Sequence, residues 1–207
     1  MDKKTRIAVF VSGGGTNLQA IIDAEKSGII KSGKTELVIS DNPEAYALER
    51  AKANGIKTAV VLKNNGQAEF EKKISEILAE NKIEMIILAG FMCILSADFT
   101  SKWPERIINI HPSLIPSFCG KGCYGLHVHE KALAYGVKVT GATVHFVNEI
   151  PDGGRIISQK AVYIEDGDTP ETLQRRVMEQ AEWILLPAAA EKVAGEIAEK
   201  GESYGHL

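Results

Sequence analysis

Cysteine is scarce in this chain, three residues in 207. An odd, small number in a chain of this size excludes a disulfide-stapled scaffold and fits a reducing cytoplasm. Basic blocks are missing as well. Lys and Arg number 24 against 27 Asp and Glu, and the net charge of -3 is spread along the chain, which argues against an extended grip on DNA or RNA. No long hydrophobic run is present: the longest, Met85 to Leu95, is too short to cross a bilayer. Met1-Asp2-Lys3-Lys4-Thr5-Arg6 leads straight into a strand-like segment, with no charged leader ahead of a long apolar stretch. The expectations are therefore a cytoplasmic protein, no nucleic-acid partner and no membrane. Repeats and low-complexity segments are absent too, and 44% hydrophobic residues suffice for one substantial core. A single domain over residues 1–207 is expected, as monomer or homodimer.

What is present is an alternation of strand and helix. Arg6 to Val11 is a nearly unbroken apolar run rich in β-branched residues, as for a strand covered on both faces. Leu18 to Ala24 has helical spacing and is closed by Gly28. Further strands are predicted at Glu36 to Ser40, Thr58 to Leu62, Met85 to Ala89 and Ile107 to Ile110, with helices at Ala45 to Asn54 and Gln67 to Asn81. This pattern predicts an α/β fold, an open, mostly parallel twisted sheet of Rossmann-like type with helices on both faces. Beyond it, Val137 to Val147 alternates as a strand with one exposed face would, and Ile156 to Ile164 can pair with it. A long helix is predicted from Pro170, capped by Asp168 or Thr169 and kinked or divided at Pro187. Gly201 to Leu207 reads as a frayed tail.

Ligands gather outside the carboxyl ends of parallel strands, and Ser12, Gly90 and His111 each directly follow a predicted strand. The turn Ser12-Gly13-Gly14-Gly15-Thr16-Asn17 permits positive φ and leaves the amides of a helix's first turn free for an anion. It is neither a Walker loop, lacking Gly-Lys-Ser/Thr, nor a dinucleotide fingerprint, having Leu18 where the third Gly belongs. The plainer reading is a tight strand-to-helix turn capped by Thr16 or Asn17. Asn109 and His111 are one residue apart, so their side chains emerge on one face and can address one ligand atom. An amide beside an imidazolium stabilises an oxyanion, and the imidazolium can release a proton to a leaving nitrogen. A capping Asn and a satisfied His in a proline-stiffened turn is the alternative. Asp152-Gly153-Gly154 is an ordinary turn by itself. Cys119 and Cys123, with His127 and His129 nearby, have unconvincing spacing for zinc, and no metal is expected. His145 reads as a hydrogen-bonded structural histidine, and Glu182 as an exposed helical carboxylate.

Asn109-Ile110-His111-Pro112-Ser113-Leu114-Ile115-Pro116 resembles the signature of the folate-dependent formyltransferases. The glycine-rich turn through Ile21, Leu88 to Met92, Thr143 to Val147 and Asp152 to Gly154 extend the likeness over nearly the whole chain. The resemblance implies 10-formyltetrahydrofolate as co-substrate, and transfer of its formyl group to the glycyl amine of 5′-phosphoribosylglycinamide in purine synthesis. It further implies that Asn109, His111 and Asp152 are catalytic and that Gly15, Thr16 and Asn17 hold the substrate phosphate. Glu182 would contact the ribose hydroxyls, while Met92, Cys93, Ile94, Leu95 and Asn109 would border the folate. In this scheme Asp152 raises the pKa of His111 and keeps it protonated. Family members often carry Arg where this chain has Cys93, and another near Gln67. Competing readings are another formyltransferase, a formyl-folate hydrolase, or a non-catalytic nucleotide-binding α/β module. The tRNA and sugar enzymes and the hydrolase usually carry additional sequence, which favours the small-molecule transferase.

Overall fold

A computed structural model describes residues 3–203, with side chains through residue 200. Seven strands form one sheet in the order β3-β2-β1-β4-β5-β6-β7. They are β1 Thr5–Val11, β2 Gly33–Ser40, β3 Lys57–Val60, β4 Met85–Leu88, β5 Ile107–His111, β6 Val139–Phe146 and β7 Ile156–Tyr163. β1 to β5 pair in parallel, whereas β6 and β7 run antiparallel to their neighbours. The helices are α1 Thr16–Ser27, α2 Tyr46–Ala53, α3 Gln67–Glu80, α4 Ala97–Thr100, α5 Leu126–Tyr135, α6 Pro170–Val177 and α7 Trp183–Ser203.

The period of two along each strand divides the core into two layers. On β1, Ile7, Val9 and Val11 join a cluster with residues of α1, α2 and α7, while Ala8 and Phe10 join another with Phe70, Ile74 and Leu78 of α3. β4 divides in the same way, Met85 and Ile87 against Ile86 and Leu88. On β5, Ile108 and Ile110 lie in the first layer and Ile107 in the second. Past Ile107 the second face of β5 presents Asn109 and His111, so this is where an apolar face becomes polar.

Several expectations need correction. β6 has no exposed face: from Thr140 to Phe146 every residue is buried. Its alternating polar residues face protein groups instead of solvent. The exposed strand is β7, at the sheet edge. The long C-terminal helix is interrupted ahead of Pro187, by a π-helical segment over Met178–Glu182, and α7 continues through the proline. Thr169 is the N-cap, in a capping box with Thr172 and with Pro170 in the first turn, and Asp168 instead pairs with Arg176. Helices α4 and α5, which periodicity did not signal, fill the connections after β4 and β5. Of the expected frayed tail, 201–203 belong to α7 and 204–207 lie outside the described residues.

Candidate active site

The order of strands reverses between β1 and β4, and the loops after these two strands meet at that switch point. The Ser12 amide donates to the Gly90 carbonyl at 3.1 Å and Ser12 Oγ accepts from the Met92 amide at 2.8 Å. The glycine-rich loop turns its carbonyls away from its helix. Ser12 O accepts from Asn42 Nδ2, Gly13 O from the Ala47 amide and Gly14 O from Arg50 Nε. Gly15, not Thr16 or Asn17, is the N-cap of α1, at φ 72°, and no side chain caps the helix. The first-turn amides therefore keep their donors for a ligand. A Cβ on Gly15 would lie 2.6 Å from Ala47 Cβ, whereas one on Gly13 or Gly14 would meet nothing within 4 Å. Space beside Gly13 and Gly14 is open.

Asn17 and Glu182 meet at the same end of α1, with Asn17 Nδ2 donating to Glu182 Oε2 at 2.6 Å. Glu182 is buried, contrary to the exposed carboxylate its helical position suggested. Burial pushes its pKa up to about 7, against the lowering effect of Asn17. The π turn that carries it is a kind of helical irregularity common at functional sites. Asn17 Oδ1 is buried without a partner, so the pair holds an unused acceptor as well as a carboxyl.

At the β5 end, register explains the assembly. Asn109 lies opposite His145 and His111 opposite Thr143 on antiparallel β6, so all four occupy one face. Asn109 Nδ2 is 3.1 Å from His145 Nε2, and His145 Nδ1 is 2.8 Å from the Phe146 carbonyl. Because a carbonyl only accepts, His145 Nδ1 is the donor in that contact, and its Nε2 edge faces both the Asn109 amide and the Asp152 carboxylate. The Asp152 carboxylate lies 3.6 Å from His111 Nδ1 and 3.7 Å from His145 Nε2, and it accepts from the Gly120 amide at 2.8 Å. His111 Nε2 donates to the Phe118 carbonyl at 2.9 Å. Asp152 itself sits at φ 56°, and a Cβ on Gly154 would lie 1.7 Å from the Phe146 carbonyl. The Asp-Gly-Gly turn is therefore a tight, left-handed bend that presses against β6 and aims its carboxylate inward.

The expected elevation of the His111 pKa is not what the site produces. Burial pushes it down and outweighs the upward pull of Asp152 and of the Phe118 hydrogen bond, with His145 adding to the lowering. Asp152 feels burial upward, but the His145 ring, His111 and the Gly120 amide together hold it below the usual carboxylate range. The ligand-free pair thus favours a carboxylate beside a neutral imidazole.

Among the predicted folate-side residues, Met92 and Ile94 are exposed. Leu95 is instead buried in the second core layer, and Cys93 Sγ turns to Asp41 Oδ2 at 3.2 Å. Burial and the Asp41 carboxylate push the Cys93 thiol up to about 11. Any contact these two residues make with a ligand must come chiefly from their backbone. Buried Glu71 anchors the segment from beneath, accepting from the Ser96 amide and hydroxyl and from Gln67, whose amide also donates to the Ile94 carbonyl. The four residues weighed for zinc point to separate partners: Cys119 to Pro116 O, Cys123 to Lys131, His127 to Glu130, while His129 is buried with both ring nitrogens unpartnered. Burial and His111 push His129 down to about 4. His145 and the Phe118 and Gly120 backbone are site components that sequence reasoning did not assign. For His145 the signals were the Thr143/His145 alternation, which needs the β5–β6 register to be read, and the place of Thr143 to Val147 in the family likeness.

Residues 5–189 match the family described as formyl transferase. The chain is 44% identical over 203 residues to the human trifunctional purine biosynthetic protein adenosine-3, covering 97% of this chain but 19% of that protein. It is 43% identical over 184 residues to the phosphoribosylglycinamide formyltransferase of Haemophilus influenzae, covering 88% of this chain and 84% of the relative. Among solved structures, the phosphoribosylglycinamide formyltransferase of Brucella melitensis superposes with a TM-score of 0.84 at 42% identity, over 93% of this chain and 96% of that one. Glycinamide ribonucleotide transformylase 1 from Symbiobacterium toebii gives 0.86 at 39% identity, over 93% and 89%. The chain therefore spans 14% to 19% of the trifunctional relatives and 57% to 84% of the shorter relatives compared by sequence.

Proposed function

Because the chain belongs to the formyl transferase family, we propose that it moves the formyl group of 10-formyltetrahydrofolate to the glycyl amine of 5′-phosphoribosylglycinamide. The observation that carries the reading is the convergence of Asn109, His111 and Asp152 at the end of β5, with Asp152 Oδ2 3.6 Å from His111 Nδ1. The Gly15, Thr16 and Asn17 amides bind the ribonucleotide phosphate, and Glu182 with Asn17 binds the ribose hydroxyls. The Met92 to Leu95 backbone lies along the folate. One chain contributes every one of these groups, so a single domain, as monomer or homodimer, has a complete site. The three free cysteines suit a cytoplasmic setting.

In the mechanism the neutral glycyl amine adds to the formyl carbon and the carbonyl electron pair moves onto oxygen. Asn109 Nδ2 and His111 Nε2 are the donors nearest the place where that charge forms. The His111 proton is given to the Phe118 carbonyl in the ligand-free site, so the formyl oxygen takes over a donor already aimed and desolvated. Developing negative charge supplies what Asp152 alone does not, a field strong enough to hold an imidazolium in a buried place. The attacking nitrogen gives up a proton, N10 of the folate receives one, and the C–N10 bond breaks as the formamide forms. His111 passes the proton, Asp152 steadies its charge, and His145 fixes the Asn109 amide.

The test is direct: glycinamide ribonucleotide and 10-formyltetrahydrofolate are mixed with the protein, and deformylated folate and formylated nucleotide are measured together. Equal amounts of both products are expected. Deformylation that proceeds without the nucleotide would make it a hydrolase, and no reaction with either would leave a binding module.

A further inference from the structure

We propose that Cys119 and Cys123 form a reversible disulfide that switches the site off, a redox modification site built into the loop after β5. The inference rests on the proposed formyl transfer for its effect on activity. Cys119 stands between the two backbone groups that touch the catalytic pair. On one side the Phe118 carbonyl accepts from His111 Nε2, and on the other the Gly120 amide donates to Asp152 Oδ2. Cys123 lies across a tight turn, its amide donating to the Gly120 carbonyl at 3.0 Å. Gly120 and Gly122 have φ of 79° and 76°, which glycine adopts freely, and Phe118 at φ 50° is the one strained residue of the loop. Drawing the two sulfurs together moves the Gly120 peptide, and with it the hydrogen bond that orients Asp152, while the displaced Phe118 peptide changes the wall that His111 faces.

The two thiols differ in a way that suits exchange. Lys131 Nζ donates to Cys123 Sγ at 3.1 Å, placing a cation on the sulfur that carries negative charge when it attacks. Burial, Asp152 and Cys123 push the Cys119 thiol up, which lowers its thiolate fraction and makes it the second thiol to react, after Cys123 has formed the mixed disulfide. With a low-molecular-weight disulfide RSSR as oxidant, Cys123 sulfur attacks one sulfur of RSSR and expels RS⁻, leaving a Cys123–S–S–R mixed disulfide. Cys119 then loses its proton and attacks the Cys123 sulfur, expelling the second RS⁻. Two protein thiols are oxidised, one disulfide is reduced to two thiols, and the two protein protons end on the two leaving groups. A dithiol reverses the step. Cys93, turned toward Asp41, takes no part.

The experiment uses the full chain, reduced and desalted, then treated with glutathione disulfide. Peptide mass mapping is expected to show a Cys119–Cys123 link with the loss of two hydrogen atoms, and formyl transfer is expected to fall roughly 10- to 100-fold and to return with dithiothreitol. The Cys123→Ser variant keeps its reduced activity and becomes insensitive, and Cys119→Ser stops at the glutathione adduct on Cys123. The His111 imidazole resonances, followed by NMR, shift on oxidation of the wild type only. Absence of the link, or a link that leaves both activity and the His111 signals unchanged, overturns the proposal. A reduced protein with no transferase activity overturns the functional reading alone, since the mass and NMR results still judge the switch.

Discussion

A single side chain's protonation is the first thing the site controls. His111 titrates below the ordinary imidazole value because burial outweighs Asp152. Replacing Asp152 with Asn removes the main upward pull, so the His111 pKa measured by NMR should fall further. A rise would mean the carboxylate is not the partner its position indicates. In turnover, Asp152→Asn should lower kcat by roughly 10² to 10⁴ with little change in KM for the ribonucleotide, the range of a lost acid–base device. Glu182 works in the opposite direction. Its pKa is raised from 4.5 to about 7, so the folded state holds a proton that the unfolded chain releases. The Glu182 contribution to stability, read as the difference between wild type and Glu182→Gln, must then decrease as pH rises from about 4.5 to about 7 and stay level above, opposite in sign to the contribution of the buried His129. At about 1.4 kcal/mol per unit, the effect has a ceiling of roughly 3 kcal/mol. Urea unfolding of Glu182→Gln should lack that slope and show a gain over wild type at pH values above 7. The same variant should bind the ribonucleotide more weakly, since the amide offers one acceptor where the carboxylate offers two.

At the scale of the element, what could be read in the sequence depended on whether the signal was local. β1 is a nearly unbroken apolar run and β4 an unbroken one because helices cover both faces, and the expected boundaries fall within one residue of the observed ones. The exact α1 start was not legible: Thr16 and Asn17 are the usual capping types, and only the structure shows Gly15 as the N-cap, at φ 72° with Ala47 packed against it. β6 was misread because polar and apolar residues alternate along it as they do on a half-exposed strand. Thr143 and His145 are polar because they face the site, and only the pairing with Asn109 and His111 reveals it. The π segment has no periodicity of its own and was attributed to Pro187, the one visible breaker. Glu182 is buried because that segment turns it toward Asn17. The glycine-rich turn gives a sharp prediction at this scale. Gly15→Ala should destabilise the fold by roughly 2–4 kcal/mol, from left-handed strain plus the clash with Ala47, and should weaken ribonucleotide binding more than folate binding. Calorimetric titration with each ligand separates the two. Equal losses for both would remove the phosphate from that helix end.

For the molecule as a whole, the sheet is two halves joined at β5. The parallel half delivers loops of β1, β4 and β5 to one edge, as the strand alternation implied, and the antiparallel β6 returns His145 to that edge while the turn after it returns Asp152. The π segment, packed against β6 and β7, brings Glu182 to α1 from the far end of the chain. The proposed ligand-binding groups thus lie on elements separated by most of the sequence, with one continuous sheet between them. Binding should consequently stabilise the protein as a unit. Ribonucleotide at a hundred times its Kd should raise the unfolding free energy by about 2.7 kcal/mol, with hydrogen-exchange protection rising in β1, β5 and β6 together. Inorganic phosphate, which on the proposed reading would fill only the α1 end, should give a smaller gain of the same global kind. Protection confined to α1 with either ligand would mean that the first-turn amides hold the phosphate alone, and that Glu182 and the β5–β6 seam are energetically uncoupled from it.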